Sequence, residues 1–413
     1  MLTTGIYLLL AQAAPPAVVA GIPVNYEEAK AAFDPTTLPD PLRLANGKRV
    51  TNAKTWHSQR RPEIVRLYEE NQFGRSPGRP AQMTFDVFEK SAPAFEGKAI
   101  RRQVTIRFSP EQSMDLVLYL PPKATKPVPV LLHLGFTANS SAIADPGIKP
   151  GQIWNREKQR VAVPAGGRFR TDVIPVLEKG FGFASIYYGD IDPDFDGGVP
   201  LGVRSLYPKP AGGDWGSIAA WAWGLSRAMD YLETDQSVDA KRVAIMGVSR
   251  LGKTVLWAGA NDPRFAMVIA SCSGEGGAAI ARRNYGETAK HMAARFGYQF
   301  APNYANWGDR VAEMPVDANL LVSLIAPRPL LLQTGDTDFW SDPKGEFLAA
   351  VAAGPVYRLL GAQDLGVAEM PKAGEPVLKT LGYYMHAGGH GSLPGDWAHF
   401  LNFMDLHFNG RKQ

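Results

Sequence analysis

The sequence predicts an α/β fold: a three-layer sandwich with a mainly parallel central sheet and antiparallel N-terminal strands. Three observations carry that reading. Short, largely apolar runs bounded by glycine or turn residues recur at Val128 to Leu134, Gly182 to Tyr188, Val243 to Met246, Met267 to Ala270 and Leu330 to Gln333. Runs this continuous suit strands covered on both faces, as parallel strands are. Helical patterns lie between them, most clearly over Trp215 to Leu232, where apolar residues return at intervals of three and four. Upstream, Arg102 to Phe108 alternates polar and apolar residues and Met114 to Leu120 does so partly, as half-buried antiparallel edge strands should. Strands alternating with helices imply βαβ units.

Antiparallel strands first and parallel strands afterwards is the layout of the α/β-hydrolase fold. A chain of 413 residues that is 45% hydrophobic can bury a large core, and 20% charged residues is not a disordered composition. Residues 21–413 are expected to form one catalytic domain. Residues 21–98 read as its N-terminal layer, with a short helix near Tyr26 to Phe33 and another around Pro62 to Asn71. No internal repeat is present.

The net charge of +4 is small, and basic residues occur only in pairs such as Lys48-Arg49 and Arg60-Arg61. That gives no electrostatic basis for binding nucleic acid or an anionic membrane. The single cysteine, Cys272, rules out an intrachain disulfide. Near the start, the apolar Ile6 to Leu10 precedes Ala11-Gln12-Ala13, which fits the small-x-small rule for signal cleavage, although a basic leading region is missing. Residues 1–20 are therefore expected to be a truncated or mis-started signal peptide, with a disordered Ala/Pro tail as the alternative, and the protein to be secreted or periplasmic. No later stretch reaches the roughly 18 apolar residues of a membrane span.

Ser249 directly follows the strand Val243 to Met246 and precedes the helical pattern Lys253 to Ala260. Strand, tight Gly-flanked turn and helix are the context of a nucleophile elbow, in which the hydroxyl stands clear of the sheet above a helix N-terminus. The common form is G-x-S-x-G. Here Leu251 stands where the second glycine is usual, and Gly252 follows one place later. The plain alternative is an ordinary serine in a βα loop.

The segment Gly247-Val248-Ser249-Arg250-Leu251-Gly252-Lys253 resembles the G-C-S-R-x-G-K signature of the glucuronoyl esterases, carbohydrate esterase family 15. Asp214 to Gly224 is similar to that family's helix before the elbow strand, and Ser273 to Ala279 to the end of the following strand. Asp338 to Phe347 is similar to its acid loop, and His390 to Phe403 to its histidine loop and last helix. The likeness spans about residues 95–408 in the same order, closest to bacterial members. It implies that Arg250 offers both its N–H and its guanidinium to an oxyanion, a charged donor stabilising that charge more than a neutral one. The alternative for Arg250 is a surface ion pair.

His390, in Gly388-Gly389-His390-Gly391, is the expected base. It completes the chain order Ser, acid, His, and its loop lets the imidazole approach Ser249. His386 lies four residues away, but a stretch with two glycines is no metal-binding helix, so no metal and no cofactor is expected. The family's usual glutamate stands just after the strand following the nucleophile, and here that position is Cys272. Asp338, after the strand Leu330 to Gln333, is the first choice of acid, as some bacterial members have an acid there. Glu275 is the second choice and Asp342, a plausible cap for the helix starting at Pro343, the third; Asp336 reads as a turn residue. Cys272 itself has no turn signal and reads as a buried, inert thiol.

The resemblance further assigns Lys253, Glu287 and Trp340 to the sugar pocket, where an indole face can pack on a pyranose while charged groups read its hydroxyls. Core or surface roles are the alternatives for all three. Asp190 to Gly197 looks superficially like a calcium loop, but Phe195 occupies the position that needs glycine, so it reads as a structured acidic loop near the site. The implied activity is that of a 4-O-methyl-glucuronoyl methylesterase-like hydrolase, acting as a monomer on esters between (4-O-methyl-)glucuronoyl units of glucuronoxylan and lignin alcohols. The rivals are an acetyl xylan esterase-like deacetylase and, because of Cys272, a non-catalytic sugar-binding relative.

Overall fold

The computed structural model describes residues 17–31, 33–163, 171–207 and 214–410. The signal-like stretch Ile6 to Ala13 lies outside them. Nine strands form one sheet: β1 Thr84–Ala94, β2 Ala99–Arg107, β3 Ser113–Leu120, β4 Val128–Gly135, β5 Gly182–Tyr187, β6 Val238–Val248, β7 Met267–Ser271, β8 Leu330–Gly335 and β9 Leu381–His386. Their spatial order is β9-β8-β7-β6-β4-β5-β3-β2-β1. Strands β4 to β9 run parallel to their neighbours, while β1, β2 and β3 pair antiparallel and β3 meets β5 antiparallel. This is the predicted mixed sheet, with the antiparallel part on the N-terminal side.

The continuous apolar runs have a simple cause. Successive side chains of a strand point to opposite faces, so a strand covered on both sides must be apolar at every position. Val243 and Ile245 of β6 enter one core, and Ala244 and Met246 the other. Leu330 and Leu332 of β8 likewise enter the first and Leu331 the second.

The main helices are α1 Arg61–Tyr68, α2 Ser217–Leu232, α3 Arg250–Asn261, α4 Ala289–Phe296, α5 Ala318–Ser323, α6 Pro343–Leu359 and α7 Asp396–Asn409. The N-terminal layer packs behind the elbow helix. Just past α1, Phe73 stacks on Trp257 of α3, with ring centroids 4.7 Å apart.

Three sequence expectations change. The helix expected near Tyr26 to Phe33 is a single 3-10 turn, Glu28–Lys30. The runs assigned as edge strands, now β2 and β3, are interior and largely buried. The edge on this side of the sheet is β1, which the pattern hid because its pairing with β2 slips between Asp86 and Glu89 and again between Glu89 and Ala92, so its alternation breaks. No helix among the described residues is long and apolar enough to cross a membrane.

Candidate active site

The C-terminal ends of β6, β7, β8 and β9 lead directly into Ser249, Cys272, the Asp338 turn and the His390 loop. Ligand crevices of open α/β sheets lie at such ends. Ser249 caps α3 with φ 59 and ψ −127, a strained conformation for a serine. Its N–H donates to Ser271 O (2.8 Å), and its carbonyl accepts from Lys253 N–H (3.1 Å). Two close approaches explain the elbow's glycines. A Cβ on Gly247 would lie 2.3 Å from the Leu251 carbonyl oxygen, and one on Gly252 would lie 2.7 Å from Ser271 O. Helix α3 thus presses on the end of β7 at Gly252, while Leu251 turns into the core and needs no glycine.

His390 Nδ1 lies 2.8 Å from Asp338 Oδ2 and 3.1 Å from Ser341 Oγ. An Nδ1–H donating to the carboxylate leaves Nε2 free to take a proton. The imidazole side chain is 42% exposed and that of Asp338 only 3%, so the imidazole is open to the cavity while the carboxylate is shielded. Burial pushes the Asp338 carboxyl up, but bonds to His390, Ser341 and Cys272 more than offset this and leave it below the ordinary aspartate value. His386 serves this loop as a pin. Its ring nitrogens meet Asp396 Oδ2 at 2.8 Å and Gly389 O at 2.9 Å. Burial alone would lower its pKa, yet these two acceptors raise it.

Ser249, Arg250, Lys253, Glu287, Trp340, Ser341 and His390 line one cavity of about 200 Å³, together with residues of α4 and Gln299. Lys253 Nζ donates to Glu287 Oε1 (3.0 Å), and both side chains are buried. Glu287 N–H donates to Trp340 O (2.8 Å), which ties the three expected sugar-pocket residues into one wall. The Arg250 guanidinium donates to Asp194 and lies over the Phe296 ring, 5.2 Å from its centroid. Arg250 is therefore ion-paired, but at the cavity wall beside Ser249.

A family model described as fungal glucuronyl esterase matches residues 205–361. Carbohydrate esterase MZ0003, from an unknown prokaryotic organism, is 41% identical over 94% of this chain and 92% of its own length. A glucuronoyl esterase from Solibacter usitatus superposes with a TM-score of 0.88 at 45% identity, covering 92% of this chain and 99% of that one. A promiscuous CE15 esterase from a marine bacterial metagenome gives 0.85 at 40% identity, covering 93% and 100%. The chain belongs to carbohydrate esterase family 15, the glucuronoyl esterases. It is a bacterial-type member of that family and a carboxylic ester hydrolase.

Against the family's usual pattern, Cys272 remains the departure. It is buried, as expected, but φ is 45, so it does stand in a turn that the sequence did not signal. Its Sγ accepts from Gly391 N–H at 3.4 Å, and Sγ, an Asp338 oxygen and a His390 nitrogen all lie within 4.8 Å of one another. Among the described residues this is the group that could offer three ligands to a metal. Burial, with Asp338 and Glu346 nearby, holds the thiol well above its ordinary pKa, and a protonated thiol is a poor ligand.

The other candidate acids are occupied elsewhere. Glu275 accepts from Tyr304 Oη (2.9 Å), and burial pushes its pKa up to about 8. Asp342 pairs with Arg283 (2.9 Å) and caps α6 by accepting from Gly345 N–H. Asp336 accepts from Gly388 N–H (2.8 Å), as a turn residue should. Sequence reasoning missed Asp194, Gln299, Ser341 and the α4 side chains Met292, Arg295 and Phe296. Only Asp194, as part of the acidic loop, and Ser341, inside the segment resembling the acid loop, had a signal.

Proposed function

We propose that the protein hydrolyses the ester on the carboxyl of a (4-O-methyl-)glucuronoyl unit, the link between glucuronoxylan and lignin alcohols. Ser249 attacks the carbonyl while His390 Nε2 takes its proton, and Asp338 holds the imidazole through Nδ1–H. The Arg250 N–H and guanidinium, at the N-terminus of α3, stabilise the oxyanion. Collapse expels the alcohol, protonated by His390; water then opens the acyl-enzyme with His390 as base, releasing glucuronate. Lys253, Glu287 and Trp340 receive the sugar.

The observation that carries this reading is the 2.8 Å bond between Asp338 and His390, which lines the same cavity as Ser249. It supports a working triad despite Cys272, against the non-catalytic reading. We take residues 21–413 as one catalytic unit, active as a monomer in the secreted or periplasmic space, where a cell-wall polymer would be met.

A panel of methyl and benzyl glucuronate against acetylated xylan tests the substrate. Turnover of the glucuronate esters is expected; activity on acetyl groups alone would overturn the assignment. Binding of glucuronate with neither burst nor turnover would favour a sugar-binding protein.

A further inference from the structure

The acidic loop after β5 carries four carboxylates at every second position, Asp190, Asp192, Asp194 and Asp196, and the first three each take a different arginine. Asp190 pairs with Arg160 at 2.7 Å, Asp192 with Arg204 at 2.9 Å, and Asp194 with Arg250. The third pair differs from the others in what it holds, because Arg250 directly follows the nucleophile.

Asp194 is itself fixed from several directions. Its Oδ1 accepts from Tyr298 Oη (3.0 Å) and Gln299 Nε2 (2.7 Å). Its Oδ2 accepts from Tyr188 Oη (3.1 Å) and from the Arg250 guanidinium. Tyr298 also donates to the Asp194 carbonyl, at 3.1 Å. Tyr188 adjoins the end of β5, whereas Tyr298 and Gln299 follow α4, so two separate segments hold the carboxylate still. Gln299 and Arg250 both reach the cavity wall.

We infer that Asp194 is a positioning residue for the reaction, holding the Arg250 guanidinium at the oxyanion side of Ser249. This rests on the reading that Arg250 stabilises the oxyanion. A long, flexible side chain is an effective oxyanion donor only if it is aimed before charge develops, since reorienting it during the reaction forfeits part of the gain. Asp194, clamped by two tyrosines and a glutamine, supplies that aim.

The test is a cycle of Asp194→Asn and Arg250→Ala on benzyl glucuronate, with kcat, KM and Tm measured for each. Arg250→Ala is expected to lower kcat by about 10²-fold, the scale of losing one oxyanion donor. Asp194→Asn is expected to lower kcat by about tenfold with KM within about twofold, and to add nothing in the Arg250→Ala background, as residues acting as a unit do. A loss of equal size in both backgrounds, or unchanged kcat in Asp194→Asn, would overturn the inference. If Arg250→Ala keeps full kcat, the oxyanion reading fails and this inference fails with it. Should Asp194→Asn fold poorly, Tyr298→Phe removes the hydroxyl that bonds both the Asp194 carboxylate and its carbonyl. It should show a smaller kcat loss that again vanishes without Arg250; a loss that persists there counts against Asp194.

Discussion

At the scale of single residues, the unusual feature is that His390 bonds Asp338, so the acid of the proposed triad lies one strand along from Cys272. Cys272 and Asp338 follow adjacent strands, and both lie next to His390. Two positions can therefore reach one imidazole, and only one of them carries a carboxylate. Asp338→Ala should lower kcat by about 10³-fold or more while KM changes little, because an imidazole without its acid loses both orientation and charge stabilisation. Adding Cys272→Glu to that variant should restore part of the loss, about tenfold, in steady-state assays on benzyl glucuronate. No restoration would mean that the position after β7 is not a working acid site in this chain.

At the scale of the element, the turn before α3 stores backbone strain at Ser249. A backbone with φ 59 and ψ −127 suits glycine far better than any side chain. Both Ser249→Ala and Ser249→Gly should abolish turnover, but the glycine variant should be the more stable by about 1 kcal/mol, read from denaturant midpoints. Equal stabilities would show that the strain is absent. The Lys253–Glu287 bridge joins α3 to the segment before α4 and is buried. Lys253→Met should cost about 3 kcal/mol by leaving a buried carboxylate unpaired, and adding Glu287→Gln should return much of it. A Lys253→Met variant of ordinary stability would mean that the pair is already well solvated.

At the scale of the whole molecule, burial sets a pH dependence separate from catalysis. Glu346 of α6 is fully buried, accepts from Gly274 N–H (2.7 Å) and Ser273 Oγ (3.1 Å), and has its pKa pushed from 4.5 up to about 8, chiefly by desolvation. A carboxyl raised in the folded state keeps its proton there while the unfolded chain has lost it. Its stabilising effect is therefore complete below about pH 4.5 and is lost as pH rises towards 8. Glu346→Gln cannot ionise, so its Tm relative to the parent should climb by a few degrees between pH 5 and 8.5. A difference that stays flat or falls would show that Glu346 is ionised in the fold.

Much of this was legible in the chain itself. The central strands appeared because two-sided burial demands continuous apolar runs, and the positions of Ser249, Asp338 and His390 beyond strand ends because each follows such a run closely. The edge strand β1 was not, since bulges break its alternation, nor was the isolated turn at Glu28–Lys30. Local pattern thus determined the central strands, the strand–turn–helix at Ser249 and the chain order of the proposed triad. Which partners meet was decided by tertiary structure alone. Arg250 and Asp194, or Lys253 and Glu287, are far apart in sequence and belong to different elements, and no periodicity relates them. The same holds for the acid: Asp338, Glu275 and Asp342 are all carboxylates near strand ends, and only the packing of β8 against β9 brings one of them to His390.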